Sequence, residues 1–433
     1  MRLTIALCVL LTAGCDKLWS GSVVSCGPAG FPCPPGYTPP GADLALPISD
    51  GGTGDMTGNP PADMTAAQPT YTSVFVLGDT NRTTLVGSST GEVRTYTNDG
   101  QRAPAFMSKV VQAAGKPIVG VWQGDLSWYS YPSYNATIIV PEDKQIFYKL
   151  GNGTMQSQTT TQTLHGLWVG AWNSGLVSVS TMDQNMTYAV YAVGDAGLLV
   201  TGAIGRLQSA TWKETLLGTA PRPTLRAVGG LNRITSYDID GCLGVDMGMG
   251  PGAPSCPNGL AWVVGDSSSI WQFEGMWRQI ASTQLPAGRS FLGVTADPYS
   301  AYAWTAGSAG AYATRDNVGP NTWTGNGVSG LSMPFAGRQI RAMCAFNTGD
   351  VWAVGDLGTI YRYAYDLGSA TNAWMAVNVG KDLSKVDLMA VHCLPNNNGP
   401  ARVTIVGTNR TLLAGEADGG GNYSTWQAAA DVP

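Results

Sequence analysis

Five short stretches of the chain are near-copies of one another: AlaValGlyAsp at 192–195, ValValGlyAsp at 263–266, ThrAlaGlySer at 305–308, AlaValGlyAsp at 353–356 and IleValGlyThr at 405–408. Each is a short apolar run, then Gly, then a small polar residue. Each is followed by a second short run and a Trp, at Trp212, Trp277, Trp323, Trp374 and Trp426. Two weaker copies precede them, LeuValGlySer at 85–88 and IleIleValPro at 138–141. With the Gly of each copy as anchor, and Pro141 in the second, the anchors fall at 87, 141, 194, 265, 307, 355 and 407. The intervals are 54, 53, 71, 42, 48 and 52 residues. Repetition at this spacing forces the units to stack, because one unit cannot bury both of its faces alone.

The sixth copy shows what one unit contains. Residues 339–345 predict an inner strand, 351–354 a second, 359–363 a third, and the segment around Trp374 a fourth. These runs are too short for helices and rich in Val, Ile, Trp and Tyr. GlyAsp-x-Gly at 355–358 reads as a turn, with Gly supplying positive φ and Asp bonding its own backbone two residues on. The expected fold is all-β: a seven-bladed β-propeller of four-stranded antiparallel blades, starting near Tyr71 and ending with the strand around Trp426. Both chain ends then supply whole blades, and the ring closes by packing and edge pairing between them. The recurrent Trp reads as inter-blade packing. Asp195, Asp266 and Asp356 read as turn residues and not as a metal ring, because Ser88, Ser308 and Thr408 take their place elsewhere. No metal site or cofactor is expected.

The N-terminus carries an address. Arg2 is followed by an apolar core from Leu3 to Leu11, too short for an ordinary membrane span, and then by ThrAlaGlyCys at 12–15. This resembles a bacterial lipobox, which would make 1–14 a signal peptide and Cys15 the lipid-attachment site. Thr12 stands where Leu is commoner, and an ordinary signal peptide cleaved nearby is the alternative. Residues 15–70 then comprise the lipidated Cys, a small Cys loop and a Pro/Gly-rich disordered tether, followed by the propeller over 71–433. The tether from Pro34 to Pro69 would have a reach of roughly 30–35 Å. The expected location is a bacterial cell envelope, membrane-anchored and periplasmic or surface-facing. Asp16 does not fix which membrane. Charged residues make up 12% of the chain, its formal net charge is −5, and no basic stripe occurs, which argues against nucleic acid as a partner.

Cysteine usage agrees with export. Setting aside Cys8 and Cys15 leaves six of eight. Cys26 with Cys33 and Cys242 with Cys256 would each close a short loop. Cys344 with Cys393 would staple neighbouring inner strands if their Cα atoms lie within about 7 Å. Asn-x-Ser/Thr sequons at Asn81, Asn135, Asn152, Asn185, Asn409 and Asn422 read as chance in a Thr- and Asn-rich chain.

ValTrpAlaValGlyAspLeuGlyThrIleTyrArgTyr at 351–363, with Trp374 after it, resembles the repeat of photosystem II assembly factor-like propellers, a repeat carried by many bacterial lipoproteins. ThrArgAspAsnValGlyProAsnThrTrp at 314–323 and ThrAsnAspGly at 97–100 are similar to the Asp-box of sialidase-type propellers. The first has an insertion and the second lacks the Trp. The resemblance implies fold over about 71–433 and implies no site, since Asp-boxes are structural turns and propellers host enzymes, lectins and scaffolds alike.

Catalysis finds little support. The two His residues are His165 and His392, and His392 reads as a core or channel-lining residue. No nucleophile elbow, P-loop or HExxH pattern occurs. The expectation is therefore a non-enzyme that binds another envelope protein as an interaction or assembly scaffold. A glycan-binding propeller is the alternative, and a sialidase-like glycoside hydrolase the second. The loops joining first to second strand are long in copies two to four, at about 123–136, 170–187 and 230–259. The first of these carries Trp128, Tyr129, Tyr131 and Tyr134, the candidate binding face. AspIleAspGly at 238–241 reads as a plain turn and not a calcium loop.

Overall fold

The computed structural model describes the chain from Gln68 to Ala429, apart from 78–82, 98–103, 126–134, 172–186, 206–210, 231–260, 274–275, 281–284, 298–301, 316–322, 326–333, 367–370, 395–400, 418–422 and 424. These residues belong to one compact unit, Ala67–Pro433. They form seven four-stranded antiparallel sheets, each built from four consecutive strands in sequence order. The inner strands are β1 (Tyr71–Leu77), β5 (Ile118–Asp125), β9 (Leu164–Ala171), β13 (Leu225–Gly230), β17 (Phe291–Ala296), β21 (Ile340–Asn347) and β25 (Leu388–Leu394). Each inner strand contacts the next, and β25 returns to β1, so the sheets close into a ring. The chain is a seven-bladed β-propeller.

The blades are glued by apolar faces that no single sheet could bury. The recurrent Trp lies on the fourth strand and reaches the preceding blade. Trp212 meets Tyr148 of blade 2 at 5.5 Å between ring centroids, Trp277 meets Tyr191 of blade 3 at 6.3 Å, Trp374 meets Tyr312 of blade 5 at 6.0 Å, and Trp426 meets Trp352 of blade 6 at 5.8 Å. Trp323 is fully buried in one cluster with Trp262 of blade 4. The edge-to-face and tilted geometries are those aromatic quadrupoles favour, worth about 0.5–1.5 kcal/mol per pair beyond area burial.

Strand pairing corrects the repeat alignment in two ways. In the sixth blade Ile340 pairs with Gly355, and in the first Tyr71 pairs with Ser88. Ser88 and not Gly87 therefore occupies the anchor place, and Ser89 is the equivalent of Asp356. The hydrogen bonds agree: the Ser89 amide donates to Thr70 O and the Asp356 amide to Gln339 O. The anchor glycine is also not the source of positive φ. Gly355 is extended at φ −168°, and a Cβ there would lie 1.9 Å from Gln339 O. The left-handed positions are Leu357 at φ 53° and Gly358 at φ 68°. The first glycine is thus fixed by close backbone approach and the second by the turn.

One covalent staple crosses the last two blades: Cys344 on β21 and Cys393 on β25 form a disulfide, with Cα atoms 5.5 Å apart. Cys15, Cys26, Cys33, Cys242 and Cys256 lie outside the described residues. No strand is exchanged between the first and last blades. Their seam is made by Tyr71, Val86 and Tyr96 against Val406 and Leu412, and by the Arg410 amide donating to Pro69 O at 3.2 Å. His392 completes it, with its ring edge-on to Phe75 at 4.6 Å and its Nδ1 buried without a partner.

Burial pushes the His392 pKa down from 6.5 to about 4. The unfolded chain then binds a proton that the folded chain refuses between those values, so stability is full above pH 6.5 and falls toward pH 4. The loss is at most roughly 3 kcal/mol. In urea unfolding at pH 7 and pH 4.5, His392→Leu is expected to shrink the pH difference. An unchanged difference would place the acid sensitivity elsewhere.

Candidate functional site

Every inner strand begins with the same local device. Its first residue is a large side chain at 0–2% exposure, namely Tyr71, Ile118, Leu164, Leu225, Phe291, Ile340 or Leu388. That residue pairs with the anchor position of the second strand. The register then slips by one, leaving a single bulged residue before pairing resumes. A β-bulge re-aims the side chain of the extra residue. Here the extra residues are Thr72, Val119, His165, Arg226, Leu292, Arg341 and Met389, one per blade, and all seven line one cavity.

The cavity has a volume of about 470 Å³ and its lining comes from all seven inner strands. Small residues follow the bulge, including Gly120, Gly166, Gly293 and Ala342, and below them stand Val74, Val121, Leu167, Val228, Val294 and Met343. The cavity is therefore the mouth of the central channel, charged at its rim and apolar in its throat.

The rim charges come from bulge residues, from acidic residues that follow an anchor, and from Asp387, which precedes β25. His165 Nε2 lies 2.8 Å from Asp195 Oδ1, and its Nδ1 lies 3.2 Å from Glu142 Oε1 on blade 2. Both contacts are hydrogen bonds only when both ring nitrogens carry protons. Thr224 Oγ1 also donates to Asp195. Arg226 holds Asp266 in a two-pronged pair at 3.1 and 3.0 Å. Arg341 donates to Asp356 Oδ1 at 2.6 Å and lies 3.5 Å from Asp387 Oδ2, which leads into blade 7. Burial pushes the Asp266 carboxyl up, but hydrogen bonds from Arg226 and Ser290 and the charges of Arg226 and His165 outweigh it, and the pKa ends below the ordinary value.

Asp195, Asp266 and Asp356 thus do more than close a turn. Their backbones make it, as where the Thr359 amide donates to Asp356 O at 3.1 Å, while their carboxylates face the channel cations. In the uncharged blades Ser308 and Thr408 instead accept from the Ser290 and Asp387 amides. Among the described residues no group of His, Cys, Asp and Glu is arranged to hold a metal ion. Sequence reasoning missed the bulge residues. The signal was present as a large apolar residue, a variable one, a small one and Val, Leu or Met, as in Ile340-Arg341-Ala342-Met343 and Leu164-His165-Gly166-Leu167.

Trp128, Tyr129, Tyr131 and Tyr134 lie outside the described residues, as do 172–186 and 231–260. The strand ends that flank the first loop, Asp125 and Asn135, pair at the end of β5 away from the mouth.

Fold and cavity together define the class: a closed seven-bladed propeller with one charged channel mouth. No protein-family pattern matches the chain, and no curated protein matches it at a significant level. Among solved structures it is similar to "YCF48 bound to D1 peptide", at 12% identity and a TM-score of 0.51, over 84% of this chain and 95% of that one. It is also similar to "Crystal structure of RRP9 WD40 repeats", at 10% identity and a TM-score of 0.49, over 81% and 88%. The first likeness bears on the fold alone.

The geometry places Arg341 between two carboxylates, Asp356 and Asp387. Arg341→Met is expected to cost about 1–2 kcal/mol in urea unfolding at pH 7. Asp356 and Asp387 then face each other without the guanidinium between them, so the deficit should narrow as salt is raised. A deficit independent of salt would mean lost packing and not lost charge.

Proposed function

We propose that the protein is a membrane-anchored envelope propeller that serves as a non-catalytic interaction or assembly scaffold for another protein. In this reading residues 1–14 are a signal peptide, Cys15 carries the lipid, 15–70 is the tether and 71–433 presents the disc. The lipobox-like ThrAlaGlyCys at 12–15 supports the anchor. The observation that carries the scaffold reading is the channel mouth: seven strands of one rigid ring aim one variable residue each into a common cavity. Its charged groups sit in mutual ion pairs, and the one rim carboxyl with a displaced pKa moves down, away from what a general acid at neutral pH needs. The similar structure of YCF48 is described as bound to a D1 peptide, which supports a protein partner here in kind only.

Two measurements test this. Cys15→Ala is expected to move the protein out of the washed membrane fraction or leave its precursor uncleaved. Wild-type protein carrying a photo-cross-linker at Leu357, an exposed turn residue beside the mouth, is expected to yield one defined cross-linked protein in its own envelope. Binding to a glycan array without any protein adduct would put the lectin reading in its place.

A further inference from the structure

The seam that closes the ring differs in kind from the other six. In every blade the residue three places before the anchor faces the next blade, as where Trp352 packs with Leu388 of blade 7. In blades 1 to 6 that residue is Leu85, Ile138, Tyr191, Trp262, Trp304 or Trp352, each large and buried. In blade 7 it is Thr404. The rung that Thr404 belongs to runs from His392 on the first strand, through Thr404 and Ala414, to Gln427 on the fourth. No large apolar side chain stands in it.

The directions follow from the neighbours. Val403 and Ile405 pack toward blade 6 in one cluster with Trp352, so Thr404 between them faces blade 1. Val406, two residues on, packs against Val86 of blade 1. Thr84 lies two residues before Val86 and presents the same face back to blade 7. His392 reaches Phe75 of blade 1, with ring centroids 4.6 Å apart. Trp426 points back to Trp352 of blade 6, so Gln427 beside it turns toward blade 1. Four polar atoms are thus aimed into one joint: Thr84 Oγ1, His392 Nδ1, Thr404 Oγ1 and Gln427 Oε1. All four are buried, and none has a hydrogen-bond partner in the protein. Thr84 and Thr404 are both 0% exposed.

Buried polar groups in folded proteins are hydrogen-bonded, to protein or to ordered water. A buried water needs two to four polar partners and room for itself. The joint offers four such atoms, and Thr404 and Ala414 take up little of it. Burial keeps the His392 pKa at about 4, so the ring is neutral at pH 7 and Nδ1 either donates or accepts. Water answers both cases, as it answers a hydroxyl and an amide oxygen.

We propose that the joint between blades 7 and 1 is a buried water-binding site, in which roughly one or two water molecules bridge Thr84, His392, Thr404 and Gln427. The ring is then closed by bridging hydrogen bonds at the depth where the other six seams are closed by a large apolar or aromatic side chain. The inference is independent of the scaffold reading and of the membrane anchor.

The test uses the full-length protein. A crystal structure that orders solvent is expected to show water within hydrogen-bond distance of Thr84 Oγ1, Thr404 Oγ1 and His392 Nδ1. Thr84→Val with Thr404→Val keeps the shape of both side chains and deletes both hydroxyls. With water bound, the change removes its partners, and Tm should fall by roughly 2–4 °C. In a dry joint the same change removes two unpaired hydroxyls, and Tm should rise. A raised or unchanged Tm, or a solvent-ordered crystal structure with no water in the joint, overturns the proposal. Should the double variant fail to fold, Thr404→Val alone reads the same sign.

Discussion

The structure depends on one close approach repeated around the ring. In five blades the carbonyl that precedes the inner strand sits close to where a Cβ of the anchor residue would be, 1.9 Å away at Gly307 and Gly355 and 2.0 Å at Gly194, and glycine is the residue that permits it; Ser88 and Pro141 hold the place in blades 1 and 2. That approach pins the first residue of the inner strand against the second strand, and the pinned residue is the large apolar one buried at each blade's edge. Pairing then slips by one, and the extra residue turns into the channel. The fold and the cavity lining thus share a single cause. The anchor is glycine in five blades while the bulge residue is free to vary, which is why a monotonous repeat surrounds a mouth of polar, apolar and charged residues.

The same physics explains what could be read from the chain beforehand. Repeat count, strand number per blade and the packing role of Trp374 and Trp426 were legible, because burial imposes a period and an aromatic residue at a fixed register. The role of the anchor glycine was misread as a turn residue, since a sequence does not distinguish a glycine needed for φ from one needed for space. Gly355 is the second kind and Gly358 the first. The first copy was aligned one residue early because Gly87 resembles an anchor, yet Ser88 is the residue that pairs with Tyr71. His165, Arg226 and Arg341 were not singled out because a bulge is a slip between two strands and leaves no local composition. Only the alignment of all seven strand starts exposes the variable column.

Charge at the mouth follows a simple economy of partners. Where the post-anchor residue is Ser or Thr it caps the backbone of the linker that leads into its own blade, as Thr408 does for Asp387. Where it is acidic it reaches a bulge cation instead, as Asp266 reaches Arg226. The two solutions alternate without disturbing the turn, so electrostatics can be rewritten blade by blade on an unchanged frame. The exchange is not one for one, since His165 lies between Glu142 and Asp195 and Arg341 between Asp356 and Asp387.

The ring also closes without interleaving its ends. Each sheet is one uninterrupted stretch of chain, and the contacts between β1 and β25 are what join the two extremities. In polymer terms this is a linear string of prefabricated tiles bent into a circle, with nearly all pairing local in sequence and one long-range junction left for last. A chain that forms from its N-terminal end onward could therefore finish six tiles before its last strands arrive. Loop-closure entropy is lost once, at the final joint, where Tyr71 meets Val406, one blade seam away from the disulfide that ties β21 to β25.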